Sequence, residues 1–169
     1  MRKTTKLTVI LMFLISGVHA AFAEKGIKII SPNKQLSVWV SVTHEGRLSY
    51  SINSDGIRVL ETSPLGIVVD NIDLGNGAKI VSKATLTKID ESYPVFGNHS
   101  IAYNVGNEAV MPIETAGKAF KLIVRVYNDG VAIRYALPEG VKHIDSESTS
   151  WNLPVKTKKV AWSGFNSGY

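Results

Sequence analysis

The sequence predicts an all-β protein built as an antiparallel β-sandwich. Apolar residues recur at every second position in several short runs, which is the pattern of strands with one buried face. Clusters of Gly, Pro, Asn, Asp and Ser separate these runs roughly every eight to twelve residues, as expected of a sandwich. Beyond the N-terminal segment, no window of about eleven residues shows the i, i+3, i+4, i+7 pattern of an amphipathic helix.

The central element is a predicted β-hairpin over residues 120–135, FKLIVRVYNDGVAIRY. In its first strand the apolar residues expected to face the core are Phe120, Leu122, Val124 and Val126. A two-residue Asp129-Gly130 loop would set Arg125 opposite Arg134, and like charges across a ladder are unfavourable. A three-residue loop from Asn128 to Gly130, with Gly130 in the αL conformation, moves Arg134 opposite Val124 and is favoured. Each arginine is expected to need a carboxylate or carbonyl partner.

A β-meander is predicted before this hairpin. Its strands cover residues 27–30, 36–42, 48–52 and 57–60, with turns at 44–47 and 53–56. Pro64 cannot donate to a ladder, so it is expected at a strand start or at an edge. The remaining expectations are a buried strand at 67–69, a polar loop at 70–82, strands at 84–89 and 107–113, an ambiguous stretch at 98–106 and a loop at 114–118.

Residues 1–23 have the pattern of a secretory signal peptide. Arg2, Lys3 and Lys6 form a basic start, an apolar run of about twelve residues is too short to span a bilayer, and Ala21-Phe22-Ala23 resembles a cleavage site. The mature chain would begin at Glu24 and carry 16 basic and 14 acidic residues, a net charge of +2. This balance argues against a nucleic-acid or membrane-surface partner. Export to the periplasm or the medium fits a chain without Cys.

Residues able to perform chemistry are sparse. His44, His99 and His143 are isolated, so no pair has the spacing of a zinc site. Glycoside hydrolysis needs two carboxylates held across a cleft. Five acidic residues lie instead in predicted turns, where a solvated or turn-stabilising role is expected: Glu45, Asp55, Asp90, Glu91 and Asp129. The sequence therefore predicts no catalytic, cofactor-binding or metal-binding residue in this chain.

Aromatic residues offer two interpretations. A sugar-stacking platform would use Trp39, Trp151, Trp162, Tyr93, Tyr103 and Tyr169. In a sandwich, such residues more often belong to the core or to a domain interface. A short basic run, Lys156, Lys158 and Lys159, is interpreted as a solvated or edge-protecting face.

Five short motifs together resemble the N-terminal domain of glycoside hydrolase family 97. In order along the chain they are SPNKQLSVWV, SPLGI at 63–67, YPVFG at 93–97, NEAV at 107–110 and RVYNDGVAIRYALP. The resemblance implies an exported bacterial α-glucosidase or α-galactosidase whose N-terminal sandwich packs against a (β/α)₈ barrel carrying the catalytic carboxylates. It further implies that this chain lacks the barrel and stops inside the sandwich.

The resemblance also concerns calcium. In the glucosidase branch of the family this domain lends one calcium-ligating Glu, which by alignment would follow Tyr169. The segment SESTSW around Glu147 resembles a family stretch containing an acid and an aromatic, but its spacing from the hairpin is too short to carry that role. The predicted function is thus a non-catalytic, supporting portion of an α-glucosidase-like enzyme, with an oligosaccharide as a further partner. The alternative is a free-standing periplasmic sandwich that binds carbohydrate or protein.

Overall fold

The computed structural model describes residues 25–97 and 100–157, and the predicted fold class is confirmed. Twelve strands, β1 to β12, form three antiparallel sheets around a shared core, and the described residues contain no helix. Accordingly, no helix in these ranges could cross a membrane. The predicted signal peptide at 1–23 lies outside the described residues.

The first sheet is the predicted meander, with the strands in the order β1-β2-β3-β4. These strands are β1 (Lys25–Ile30), β2 (Leu36–Val42), β3 (Leu48–Ser54) and β4 (Ile57–Pro64). The β3–β4 turn places Asp55 and Gly56 at φ values of 49° and 79°, a left-handed pair that suits a tight hairpin. Pro64 ends β4, one of the two outer strands of this sheet, a position that suits a residue unable to donate to a ladder.

The second sheet contains the long strands of the molecule. It consists of β7 (Lys79–Ile80), β8 (Thr85–Pro94), β9 (Ile101–Thr115), β10 (Lys118–Tyr127) and β11 (Val131–Ala136), with the order β11-β10-β9-β7 and with β8 also paired to β9. The ambiguous stretch at 98–106 therefore contributes the first half of β9 from Ile101 onward. The loop expected at 114–118 narrows to a tight turn at Ala116 and Gly117, which both have positive φ.

A small third sheet joins two distant parts of the chain. It has the order β12-β5-β6, from β5 (Ile67–Val69), β6 (Ile72–Asp73) and β12 (Ile144–Glu147). The expected polar loop at 70–82 is thus wrong in part, because it contains both β6 and β7. Beyond β12 the chain runs antiparallel to β4: the amide of Ser148 donates to the carbonyl of Gly66 at 2.9 Å and that of Ser150 to Pro64 at 3.1 Å.

The core lies between the first and second sheets. Alternate residues of β2 and β10 point inward as predicted, and Val38, Val40, Leu122, Val124 and Val126 are completely buried. They belong to one continuous cluster that also contains Leu48, Tyr50, Leu65, Val69, Leu74, Ala109, Met111 and Ile113. A single apolar core shared by two facing sheets is the arrangement of a β-sandwich.

The predicted register of the central hairpin is wrong. The amide of Tyr127 donates to the carbonyl of Gly130 at 2.8 Å, so Asn128 and Asp129 form the tip, and Gly130 has no positive φ. Arg134 consequently lies opposite Ile123. Residues directly opposite each other share a face of the sheet, so the predicted pairing of Arg134 with buried Val124 would have turned the guanidinium towards the core.

The observed register instead aligns the apolar residues of both strands. Val131 and Ile133 lie opposite Val126 and Val124, and Arg134 is exposed. Arg125 has the carboxylate partner that the sequence led us to expect, since its Nε lies 2.6 Å from Oε2 of Glu108, the residue opposite on β9.

Two glycines permit close backbone contact beside the third sheet. A Cβ atom at Gly75 would lie 2.1 Å from the carbonyl oxygen of Leu65, and one at Gly66 would lie 2.1 Å from Oγ of Ser148. Neither glycine has a positive φ, so glycine is needed at these positions because a side chain would not fit, and not because of the backbone conformation. The missing side chain of Gly75 lets its segment approach the backbone of the SPLGI motif, and that of Gly66 leaves room for the side chains of Ser148 and Arg47.

We expect Gly75→Ala to destabilise the protein by about 1–3 kcal/mol, because the new methyl group forces a backbone shift in a packed region. Gly130→Ala is the matched control, since a Cβ there would meet nothing within 4 Å and the φ is not positive. Both changes restrict the unfolded chain equally, so the difference between them isolates the clash. Urea unfolding of both variants measures it, and equal stabilities would contradict the close approach.

Candidate functional site

A polar junction forms where the β2–β3 turn, β6 and residue 148 meet. The guanidinium of Arg47 contacts Oδ2 of Asp73 at 2.5 Å and donates to Oγ of Ser148 at 2.9 Å. The other oxygen of Asp73 accepts the amide of Gly75 at 2.8 Å. Both oxygens of this carboxylate have partners and the ion pair is half-buried, so the junction has the character of a structural clamp.

A second clamp joins the β5–β6 turn to residues 142–145, at the start of β12. The carboxylate of Asp70 accepts the amide of His143 at 3.0 Å, while the carboxylate of Asp145 accepts the amide of Asn71 at 2.7 Å. The amide of Lys142 is the largest cause that lowers the pKa of Asp70, and the amide of His143 acts in the same direction. Asp70 and Asn71 have φ values of 46° and 63°, which these hydrogen bonds help to maintain.

One cavity with polar and aromatic walls lies at an edge of the sandwich, and we call it the edge cavity. Its volume is about 210 Å³. It opens between β3 and β11, and its walls are Tyr50, Ile52, Leu65, Val131, Ile133, Tyr135, Glu147, Thr149 and Trp151.

Three of these wall residues reach the edge cavity because their segment is extended. Glu147, Thr149 and Trp151 lie two residues apart along the wall. The residues between them, Ser148 and Ser150, donate their amides to the carbonyls of Gly66 and Pro64. Successive side chains of an extended chain point to opposite sides. The sequence ESTSW therefore places an acid, a hydroxyl and an indole along one wall.

Two tyrosine hydroxyls complete the polar groups of the edge cavity. The hydroxyl of Tyr50 donates to the carbonyl of Ser150 at 3.2 Å, and that of Tyr135 lies 3.2 Å from Oγ1 of Thr149. Burial raises the pKa of Tyr50 to about 12, with Tyr135 and Glu147 contributing further. Burial is also the main cause that raises the pKa of Tyr135. Both hydroxyls stay protonated at neutral pH, and the hydrogen of the Tyr50 hydroxyl is donated to the Ser150 carbonyl.

The sequence-predicted aromatic platform is not assembled among the described residues. Trp39 lies on the outer face of the first sheet, with its indole over the backbone of Gly26. Tyr93 is opposite Ala102 while Tyr103 is opposite Ser92, so the two tyrosines point to opposite faces of the β8–β9 ribbon. All are at least 37% exposed, as is Trp151, so none belongs to the core. Trp162 and Tyr169 lie outside the described residues.

The other sequence candidates are dispersed. His44 and His143 are exposed, and so is Lys156, whereas His99, Lys158 and Lys159 lie outside the described residues. Within the described ranges no group of three or more His, Asp or Glu residues is placed to hold a metal ion. The described residues therefore do not form a site for the calcium that the family resemblance suggests, and the absence of a cofactor stays a prediction.

Sequence reasoning singled out Glu147 and Trp151 separately and did not join them in one site. In the sequence analysis, Tyr50 and Tyr135 were recognised only as residues of strands with alternating apolar positions. The available signal was the alternation of Glu147, Thr149 and Trp151, but recognising it required knowing that this segment pairs with residues 64–66. That pairing spans more than eighty positions of the chain.

Comparisons with known proteins agree on one family. The sequence profile described as Glycosyl-hydrolase 97 N-terminal matches residues 29–169. A protein from Streptomyces bingchenggensis named "Probable retaining alpha-galactosidase" is 32% identical over 126 residues, which are 70% of this chain and 19% of that protein. The "Retaining alpha-galactosidase" of Bacteroides thetaiotaomicron is 30% identical over 132 residues, 77% of this chain and 19% of that protein.

Solved structures give the same result for the fold. A β-arabinopyranosidase superposes with a TM-score of 0.69 at 29% identity, covering 76% of this chain and 21% of the enzyme. A family 97 enzyme from Pseudoalteromonas sp. strain K8, in complex with panose, superposes with a TM-score of 0.67 at 20% identity over 75% of this chain and 20% of its own, and this likeness concerns the fold alone. The chain thus spans about a fifth of the relatives it matches. The profile match over most of the chain, together with these relatives, shows that the chain belongs to the N-terminal domain family of glycoside hydrolase family 97.

Proposed function

We propose that this chain is a non-catalytic N-terminal sandwich of an exported family 97 glycoside hydrolase, which packs against and supports a (β/α)₈ catalytic barrel. The observation that carries the proposal is the match to the N-terminal family profile, combined with coverage of only 19% of each α-galactosidase relative. A (β/α)₈ barrel takes about 250 residues. The barrel therefore has to be supplied outside the 169 residues of this chain.

Four carboxylates of the described residues support a structural role. Asp73 and Glu108 are held by arginines, and Asp70 and Asp145 accept backbone amides. Hydrolysis of a glycoside needs an acid and a second carboxylate facing each other across the scissile bond. Carboxylates whose oxygens are committed to such clamps are poorly placed for proton transfer.

The substrate class of the full-length enzyme is the finer part of the proposal. The two curated relatives are named α-galactosidases, which supports α-galactosides. The α-glucosidase activity expected from the sequence stays the alternative, and in either case the enzyme would act on an oligosaccharide. The proposal includes calcium only for the full-length enzyme of the glucosidase type, because the described residues offer no site for it.

Activity is the direct test. Purified residues 24–169 should not hydrolyse nitrophenyl α-galactoside or α-glucoside, because the catalytic carboxylates belong to the barrel. The Bacteroides thetaiotaomicron enzyme, assayed in parallel on the galactoside, controls the assay. Turnover by this chain that disappears in Glu147→Gln or Asp73→Asn would refute the supporting role.

Calcium gives a second test. Calorimetry of the purified chain should detect no tight one-to-one calcium binding, and the melting temperature should not change between excess calcium and a chelator. A ligand at a hundred times its dissociation constant stabilises the folded state by about 2.7 kcal/mol. A melting temperature that rises and saturates at stoichiometric calcium would show a site that the described residues do not reveal.

Export can be tested on the expressed chain. We expect the periplasmic fraction of a Gram-negative host to contain a form that begins at Glu24, because the segment ends in the small residues that signal peptidase prefers. N-terminal sequencing identifies the start, and Ala23→Asp, which places a charge at the cleavage position, is the matched control that should block processing. Full-length protein retained in the cytoplasm would contradict the export proposal.

A further inference from the structure

The edge cavity combines features that no structural role described above requires. The Glu147 carboxylate makes no hydrogen bond or ion pair within the part of the chain that the structure describes, and its residue is exposed. Trp151 is 67% exposed, four residues along on the same wall. The acid can bind polar groups of a ligand, and the neighbouring indole can contact an apolar face of the same ligand.

The size of the edge cavity limits the ligand. A volume of 210 Å³ equals the room of about seven water molecules at roughly 30 Å³ each. This space suits one six-membered sugar ring or a molecule of similar size. It is smaller than the ~300–1,000 Å³ of pockets that enclose drug-sized ligands.

The charge and polarity of the walls limit its chemistry. An anion is disfavoured by Glu147, the charged wall residue. A purely apolar ligand would leave the Glu147 carboxylate without a partner where it displaces water. A neutral polyol is favoured, because neighbouring hydroxyls can donate to both carboxylate oxygens and one can also bond to Tyr135.

We propose that the edge cavity binds a single pyranose ring, with an apolar face of the ring on the indole of Trp151 and two hydroxyls on Glu147. Galactopyranose suits this arrangement because its axial hydroxyl at carbon 4 leaves the hydrogens of carbons 3, 4 and 5 together on one face. The choice of galactose rests on the proposed function, whereas the ring site itself rests on the geometry. The Tyr135 hydroxyl, 3.2 Å from Oγ1 of Thr149, adds a polar wall group that can exchange hydrogen bonds with the ring.

The competing ligand is a small organic cation. An aromatic ring beside a carboxylate also attracts an ammonium group through its π face and by charge. Trp151 is the one strongly exposed aromatic residue of these walls, however, so a cation would contact a single exposed π face. A pyranose can use the carboxylate, the indole and the Tyr135 hydroxyl together, so it fits the wall better than a cation does.

The test is an NMR titration of the ¹⁵N-labelled, purified chain with methyl α-galactopyranoside. We expect saturable shifts of the Trp151 indole N–H and of the Thr149 amide, with a dissociation constant in the millimolar range that is typical of one small ring. Trp151→Ala should weaken binding at least about tenfold and Glu147→Gln about fivefold. Trp151 is exposed and Glu147→Gln keeps the side-chain size, so both variants should retain the dispersed spectrum of the folded chain.

Matched controls lie elsewhere on the surface. Tyr103→Ala removes an aromatic side chain that is 76% exposed on the β8–β9 ribbon, and Glu45→Gln neutralises an exposed acid in the β2–β3 turn. Neither should change the affinity by more than about twofold.

No saturable shift, or shifts that persist unchanged in both wall variants, would overturn the proposal. Saturation by tetramethylammonium at the same signals, without any by the galactoside, would assign the cavity to a cation instead. Equal binding of methyl α-glucopyranoside would retain the ring site and remove only the preference for galactose.

Discussion

The backbone of Leu48 connects the main parts of the structure. Its amide donates to the carbonyl of Gly75 at 2.9 Å, and its carbonyl accepts the amide of Leu65 at 2.8 Å. Beside this point, Thr115 at the end of β9 donates its hydroxyl to the carbonyl of Leu74 at 2.8 Å. All three sheets therefore meet within one buried region. Because a buried backbone group without a partner is costly, each sheet depends on the other two being in place here.

The sequence predicted those elements whose signal is local. The alternation in β2, β3 and β10 identified the core-facing residues, and the turn chemistry at 53–56 located a hairpin correctly. At the tip of the β10–β11 hairpin, turn chemistry alone was misleading. Asn128-Asp129-Gly130 suits several loops, and the register follows from the need to place Val131, Ile133 and Tyr135 opposite the apolar residues of β10. The alternation of apolar residues in β11 therefore indicates the register of the hairpin.

The site was less predictable than the fold, for a physical reason. Glu147 and Trp151 acquire a common orientation only when their segment adds to the edge of β4, and an edge of this kind offers no local sequence signal. The same holds for Gly66 and Gly75. Their lack of a side chain matters because two segments approach closely in space, whereas in the sequence they look like ordinary loop glycines. Long-range pairing thus determines which residues form the walls of the edge cavity.

The extended segment that closes the edge cavity also affects how this region can change in evolution. Its side chains alternate between the cavity and the opposite side, and the amides of Ser148 and Ser150 fix that alternation against β4. Deleting one residue between Glu147 and Trp151 would bring the indole to the opposite side while leaving the strand pairing possible. A substitution therefore changes one wall residue at a time. A single-residue insertion or deletion instead moves the side chains that follow it from the cavity to the opposite side of the segment, and the reverse. Homologues that keep this wall should vary in composition here but conserve the length of the segment.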